Sequence, residues 1–180
     1  MKNDYVLKIE QDDDPVNPWE DYDHLSKIVH WHRRGFFGED IRGREEEWFE
    51  EHERAGDIIL PLYLYEHSGQ TISLGRDYPF NDPWDSGQVG FVYISKEDAK
   101  KEYGSFRYWR KRAAECIHAE IKELDQYLTG DAWGYTITDK EGDVVESCWG
   151  FYGYDYCKEE AERMLKYLED KQPSLPGIAV

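Results

Sequence analysis

Phe106, Trp109, Ala113, Ile117, Ile121, Leu124 and Leu128 recur every three or four positions. This pattern predicts an amphipathic helix of about six turns, stopped at Gly130. A helix of that length buries its stripe only against another layer, so the rest of the chain must supply one. The other apolar runs have the shape of strands. Ile58-Ile59-Leu60-Pro61-Leu62-Tyr63-Leu64-Tyr65 is apolar on both faces and is expected at the centre of a sheet, with Pro61 marking a bulge or an edge because it cannot donate to a ladder. Thr71 to Leu74 is expected to pair back after the turn at His67-Ser68-Gly69-Gln70, and Gln88-Val89-Gly90-Phe91-Val92-Tyr93-Ile94 is the next strand.

Tyr5-Val6-Leu7-Lys8-Ile9-Glu10 reads as a first strand, and Trp133 to Thr138 and Val144 to Trp149 flank a hairpin turn at Asp139-Lys140-Glu141-Gly142-Asp143. Helices are predicted from Leu25, Ile28, Val29 and His32, over residues 44–55 around Trp48, after Ser95 with Asp98 as a capping pair, and over residues 158–168. Residues 35–43 and 75–87 read as loops. The fold class expected is α+β: a mostly antiparallel sheet of about five strands, one long amphipathic helix and several short ones. One domain is expected over residues 1–172, with a flexible tail at 173–180.

The 180 residues carry a net charge of −17, with the excess carboxylates in the first and last thirds and a balanced middle. Such a surface repels nucleic-acid backbones and anionic lipid, so direct nucleic-acid binding is not expected, and a partner with a basic surface is. The mean hydropathy is −0.87, no stretch reaches the apolar length of a membrane span, and Met1-Lys2-Asn3-Asp4-Tyr5 lacks the layout of a secretion signal. Three cysteines, Cys116, Cys148 and Cys157, argue against a disulfide framework. The expected location is the cytoplasm. Large rings compensate for a modest apolar content, since 16% of residues are aromatic.

Residues 65–90 hold the densest set of chemistry-bearing side chains. If the two flanking strands are neighbours, His67 with Asp85 can form a base and its orienter, and Ser86 or Ser68 can serve as nucleophile. The same residues also read as a plain turn, Asp85-Ser86-Gly87, beside a hydrogen-bonded loop histidine. Cys148 has no basic neighbour in sequence and is expected to be a buried structural thiol. No metal site is expected: Cys116 and His118, like His30 and His32, are two apart, Cys148 and Cys157 lack zinc spacing, and Asp12-Asp13-Asp14 lacks the rest of a calcium loop. No cofactor motif is present either. Arg107, Arg110, Lys111 and Arg112 read as a solvated helix face.

Several stretches are similar to a known group. Trp19-Glu20-Asp21, Trp31-His32-Arg33-Arg34, Gly38-Glu39-Asp40, Leu60-Pro61-Leu62-Tyr63-Leu64-Tyr65-Glu66-His67-Ser68-Gly69, Pro83-Trp84-Asp85-Ser86-Gly87-Gln88-Val89-Gly90, Asp125-Gln126-Tyr127-Leu128-Thr129-Gly130-Asp131 and Ser147-Cys148-Trp149-Gly150-Phe151-Tyr152-Gly153 together resemble a family of uncharacterised phage and mobile-element proteins. The likeness covers most of the chain in the same order. Where that family usually has Ser-Cys before Pro-Trp-Asp, this chain has Asn81-Asp82, which weakens a cysteine-based role there.

The resemblance implies a mobile-element accessory protein and carries no activity. Joined to the charge, it suggests an acidic, nucleic-acid-mimicking inhibitor of a host protein, such as a DNA-targeting nuclease, of the anti-CRISPR or anti-restriction kind. Asp12, Asp13, Asp14, Glu45, Glu46, Glu47, Glu50 and Glu51, with Asp139, Glu141, Asp143 and Glu146 of the hairpin, would meet the partner. The alternative is a small hydrolase built on His67, Asp85 and Ser86.

Overall fold

The computed structural model describes residues 5–75, 79, 80, 82, 84–105 and 107–171. Phe106, Asn81 and the proposed tail lie outside them. Among the described residues the chain forms eight strands and five helices, and no helix is long and apolar enough to cross a membrane. It divides into two compact units, Asn17–Thr129 and Met1–Val16 with Gly130–Val180.

The first unit opens with a short helix, α1 (Pro18–Asp21), capped by the Asn17 side chain. Strands β2 (Lys27–His30) and β3 (Glu39–Asp40) precede helix α2 (Glu45–Ala55), and β4 (Ile58–Glu66), β5 (Gln70–Leu74) and β6 (Ser86–Ile94) follow it. Helices α3 (Lys96–Tyr103) and α4 (Trp109–Leu128) close the unit. The sheet order is β3-β2-β6-β4-β5. The pair β2/β3 is parallel and the others are antiparallel.

Thus β6, not β4, is central. Pro61 sits just beyond the start of β5 pairing (Leu62↔Leu74), and the β4/β6 register shifts one residue later, between Leu62 and Tyr63. The expected irregularity is there, displaced by one position.

Both faces of this sheet are covered. On one, Ala113, Ile117, Ile121 and Leu124 of α4 bury against Ile28, Leu62, Leu64, Ile72 and Val92. On the other, Trp48 of α2 buries with Val29 and Ile41, against Phe91 and Tyr93. This double burial explains the failure of the helix expected over residues 25–32, which is β2. Ile28 and Val29 face opposite layers, so the segment has no polar side, and a short run of this kind mimics a helix stripe. Gly90 makes the β2/β6 contact possible, because a Cβ there would stand 2.1 Å from the Val29 carbonyl oxygen.

The second unit is a three-stranded antiparallel sheet, β1 (Val6–Gln11), β7 (Ala132–Thr138) and β8 (Val144–Tyr152), in the order β1-β7-β8. Helix α5 (Tyr154–Asp170) lays Cys157 and Ala161 on Tyr135 and Ile137. The fold is therefore α+β and rich in antiparallel pairs, but with two sheets where one of about five strands was expected. The first strand pairs with the last hairpin rather than with the large sheet. Cys148 is exposed, against expectation, and it stands on β8, an edge strand of the sheet.

Candidate functional site

Antiparallel pairing on both sides of β6 makes β2 and β4 run the same way, so their C-terminal ends meet the start of β6 at one end of the sheet. That end collects the chemistry. After β2 come His32 and Arg34; Glu66 ends β4 and His67 follows it; Trp84 and Asp85 lead into Ser86 at the start of β6. His32, Arg34, Glu66, Trp84, Asp85 and Ser86 line an open cleft of about 390 Å³ with Leu64 and Val89, and His67 stands beside it, joined to it through Asp85.

Glu66 is the hub. Its Oε1 accepts from Gln70 Nε2 at 2.9 Å, and its Oε2 lies 3.4 Å from His32 Nε2 and 3.8 Å from Arg34. The Glu66 backbone N–H donates to the Asp85 carbonyl at 2.8 Å, which ties the two strand ends together. His67 Nδ1 and Asp85 Oδ2 are 2.7 Å apart. Ser86 belongs to a different set of bonds, since its Oγ donates to the Asp82 carbonyl.

Base and orienter are thus brought together, while the hydroxyl proton of Ser86 points to the main chain. The His67 and Asp85 side chains are 64% and 39% exposed, so water screens their attraction. Such a pair can exchange protons with a ligand in the cleft. It lacks the dry setting in which an acyl-transfer triad gains its power.

Asn17-Pro18-Trp19 and Asp82-Pro83-Trp84 are alike in sequence and share one side-chain bond. In each, the first side chain accepts the backbone N–H of the tryptophan two residues on, at 3.0 Å. The same side-chain turn serves two surroundings, since the Trp19 indole packs against the core of its unit. Trp84 is 92% exposed at the lip of the cleft.

The acidic residues fall into three places. Asp12, Asp13 and Asp14 follow β1, where Asp12 N bonds Ala132 O. Asp139, Glu141, Asp143 and Glu146 surround the β7–β8 turn, at the opposite end of the same sheet because Val6 pairs with Thr138 and Gln11 with Trp133. One compact patch does not contain both groups. Asp139 is also spent on its own turn, accepting from Glu141 N and Asp143 N at 3.0 and 2.9 Å.

The remaining acids stand on α2. Trp48 stacks on His52 at 4.1 Å and meets Tyr93 edge-on at 5.0 Å, so the helix is bolted to β6 by its inner face. Gly56 in the left-handed region closes its C-terminus. Glu45 accepts from Gly43 N at 2.9 Å, which holds its carboxyl below the usual range. Glu46, Glu47, Glu50, Glu51 and Glu53 are exposed on the outer side, where Arg54 pairs with Glu50 at 3.8 Å.

Glu66 lies in the stretch 65–90 singled out from the sequence, whereas His32 and Arg34 were missed as cleft residues. Only the parallel course of β2 and β4 brings the three together, and β2 had been read as a helix. Among the described residues, no group of three or more His, Cys, Asp or Glu is placed to hold a metal.

Compared with known proteins, the chain matches no family model, and no curated protein or solved structure is significantly similar to it.

Proposed function

We propose that this protein is a phage or mobile-element accessory factor that binds a host protein by presenting α2 to a basic, nucleic-acid-binding groove. The observation that carries the reading is the charge density of that helix. From Glu46 to Arg54 the outer side holds a net charge of about −4 over about 12 Å of axis, or one charge per ~3 Å. One strand of DNA carries one per about 3.4 Å.

A helix shaped for stability alone would set Lys four residues after Glu. Here Glu46/Glu50 and Glu47/Glu51 repeat the same sign at that spacing, so the fold bears a repulsion that a basic partner would relieve. The seat of Trp48 holds the helix backbone in place before any encounter, which lowers the entropy cost of binding. A DNA-targeting defence nuclease has the required basic groove.

The test is capture of proteins from a bacterial host lysate, with salt titration and with DNA as competitor. Capture of a nucleic-acid-binding protein, released by salt or DNA and lost when Glu46, Glu47, Glu50 and Glu51 are changed to Lys, supports the reading. Capture unaffected by those changes overturns it.

The contact between His67 and Asp85 favours a second reading, a small hydrolase acting at the Glu66 cleft. Turnover of chromogenic phosphate-ester or peptide substrates that is lost in both His67→Ala and Asp85→Asn would support it. Turnover unchanged in those variants, or no turnover, removes it.

A further inference from the structure

A second cleft lies in the Asn17–Thr129 unit, beside the outer edge of β2. Strand β3 pairs with Val29 and His30, and Gly38 packs closely against Ile28 just before it. The opening measures about 350 Å³, and Trp19, Tyr22, Asp23, Ser26, Glu39 and Tyr93 are among the residues around it.

Its wall is held by a clamp from α4. The Glu120 carboxylate accepts the backbone N–H groups of Leu25 at 2.9 Å and Ser26 at 3.1 Å. His24 donates from Nε2 to the Pro18 carbonyl at 2.8 Å and stacks on Trp19 with the ring centroids 4.3 Å apart. These bonds fix the Trp19 indole and the Ser26 backbone at the same time.

Ser26 is only 3% exposed, yet its hydroxyl has no hydrogen-bond partner among the described residues. A buried hydroxyl left in that state is costly, and a clamp that enforces it calls for an explanation. Ser26 is one of the residues lining the cleft, and a turn about its Cα–Cβ bond would bring the hydroxyl to a polar atom held there.

The character of the opening narrows what that atom belongs to. Three aromatic residues line it, and the charged groups at its rim are mainly carboxylates. Asp23 is exposed and makes no ion pair among the described residues. Glu39 already takes a guanidinium from within the chain, Arg44, at 3.2 Å. Lys27 also lines the cleft, but its ammonium lies 3.8 Å from Asp98. Burial pushes the Tyr93 phenol above its ordinary pKa, and Glu39, Asp57 and Asp98 push the same way, so the potential there is negative.

An anionic ligand is repelled by this setting, and phosphate-bearing nucleotides fall out on that ground. A compact ammonium ion keeps its water tightly and cannot lie flat on a ring. A guanidinium is planar, weakly hydrated, stacks on aromatic faces, and still has N–H groups to spare for a hydroxyl and a carboxylate.

We propose that this cleft is a guanidinium-binding site, in which the cation stacks among Trp19 and Tyr22, donates to Ser26 Oγ and is neutralised by Asp23. The site stands on its own residues and does not depend on the role given to α2. The cation can come from a free guanidinium compound or from an arginine side chain of another protein.

The experiment titrates the protein with agmatine and, separately, with the capped peptide Gly-Arg-Gly, following the Trp19 indole N–H by NMR. Binding at about millimolar strength is expected. Tighter binding of agmatine points to a free compound, and tighter binding of the peptide points to a protein arginine; both support the site. Ser26→Ala should weaken binding about fivefold, the size of one hydrogen bond. It should also leave the melting temperature unchanged or raised, because it removes an unpartnered buried hydroxyl. Asp23→Asn, an exposed change, should weaken binding by a similar factor.

The proposal is overturned if the indole does not move at about 10 mM agmatine or peptide. It is also overturned if both variants bind like the parent, or if neutral adenosine binds as tightly.

Discussion

Replacing Glu50 by Lys should stabilise this protein while weakening its capture of a basic partner. On α2, Glu50 faces Glu46 four residues back, Glu47 three residues back and Glu53 three residues ahead, and its one opposite charge is Arg54, 3.8 Å away. Each exposed pair at such spacings is worth about 0.2–0.5 kcal/mol, with the sign set by the charges. The substitution turns three repulsions into attractions, a gain of about 1.2–3 kcal/mol, and turns one attraction into a repulsion, a loss of about 0.4–1 kcal/mol. Glu50 is 62% exposed, so screening favours the low end, about 1 kcal/mol.

Urea unfolding followed by tryptophan fluorescence reads this directly, since Trp48 is buried under the same helix. The midpoint should rise at low salt, and most of the rise should vanish near 1 M salt, where the screening length is about 3 Å. A midpoint that falls, or a rise that salt does not reduce, would refute the like-charge account of α2 and the functional reading built on it.

Gly90→Ala places a Cβ 2.1 Å from the Val29 oxygen and 3.1 Å from the His30 Cα. Urea titration should show a loss of at least about 3 kcal/mol, and an unchanged midpoint would contradict that close approach. Burial raises the Asp125 carboxyl pKa, although the carboxylate accepts Ile72 N–H at 2.8 Å. The folded state therefore holds that proton more tightly than the unfolded chain, and this contribution to stability is lost as pH rises through the raised value. Asp125→Asn should be more stable than the parent at neutral pH, with the advantage disappearing below about pH 4, and thermal melts across pH would reveal the opposite trend if the sign is wrong. Iodoacetamide with mass spectrometry should label exposed Cys148 in the native protein. Cys157, buried and with its thiol pushed up to about 11, should label only after unfolding.

Local signals that agreed with their surroundings were legible. The stripe from Trp109 to Leu128 became α4, Ser95 caps α3 by accepting Asp98 N at 3.0 Å, and the Asp139 to Asp143 turn joins β7 to β8. Each depends on residues a few positions apart. The neighbourhood of His67 and Asp85 could be inferred because one antiparallel pairing, β4 with β6, sufficed to bring them together. The same reasoning could not decide where the Ser86 hydroxyl points, because its acceptor is a backbone carbonyl in the loop.

What the sequence alone determined is an α+β chain with a long core helix, a charge of −17 and an acidic helix anchored by Trp48. Tertiary structure decided the rest. Residues 27–30 became a strand because Ile28 and Val29 each have a layer to bury against, and that strand carries His32 to Glu66. Likewise Glu120 meets Leu25 and Ser26 across a separation of 94–95 residues. Composition and periodicity report the preference of a segment for water or for burial. They do not report which distant backbone supplies the partner, and both clefts are made of such meetings.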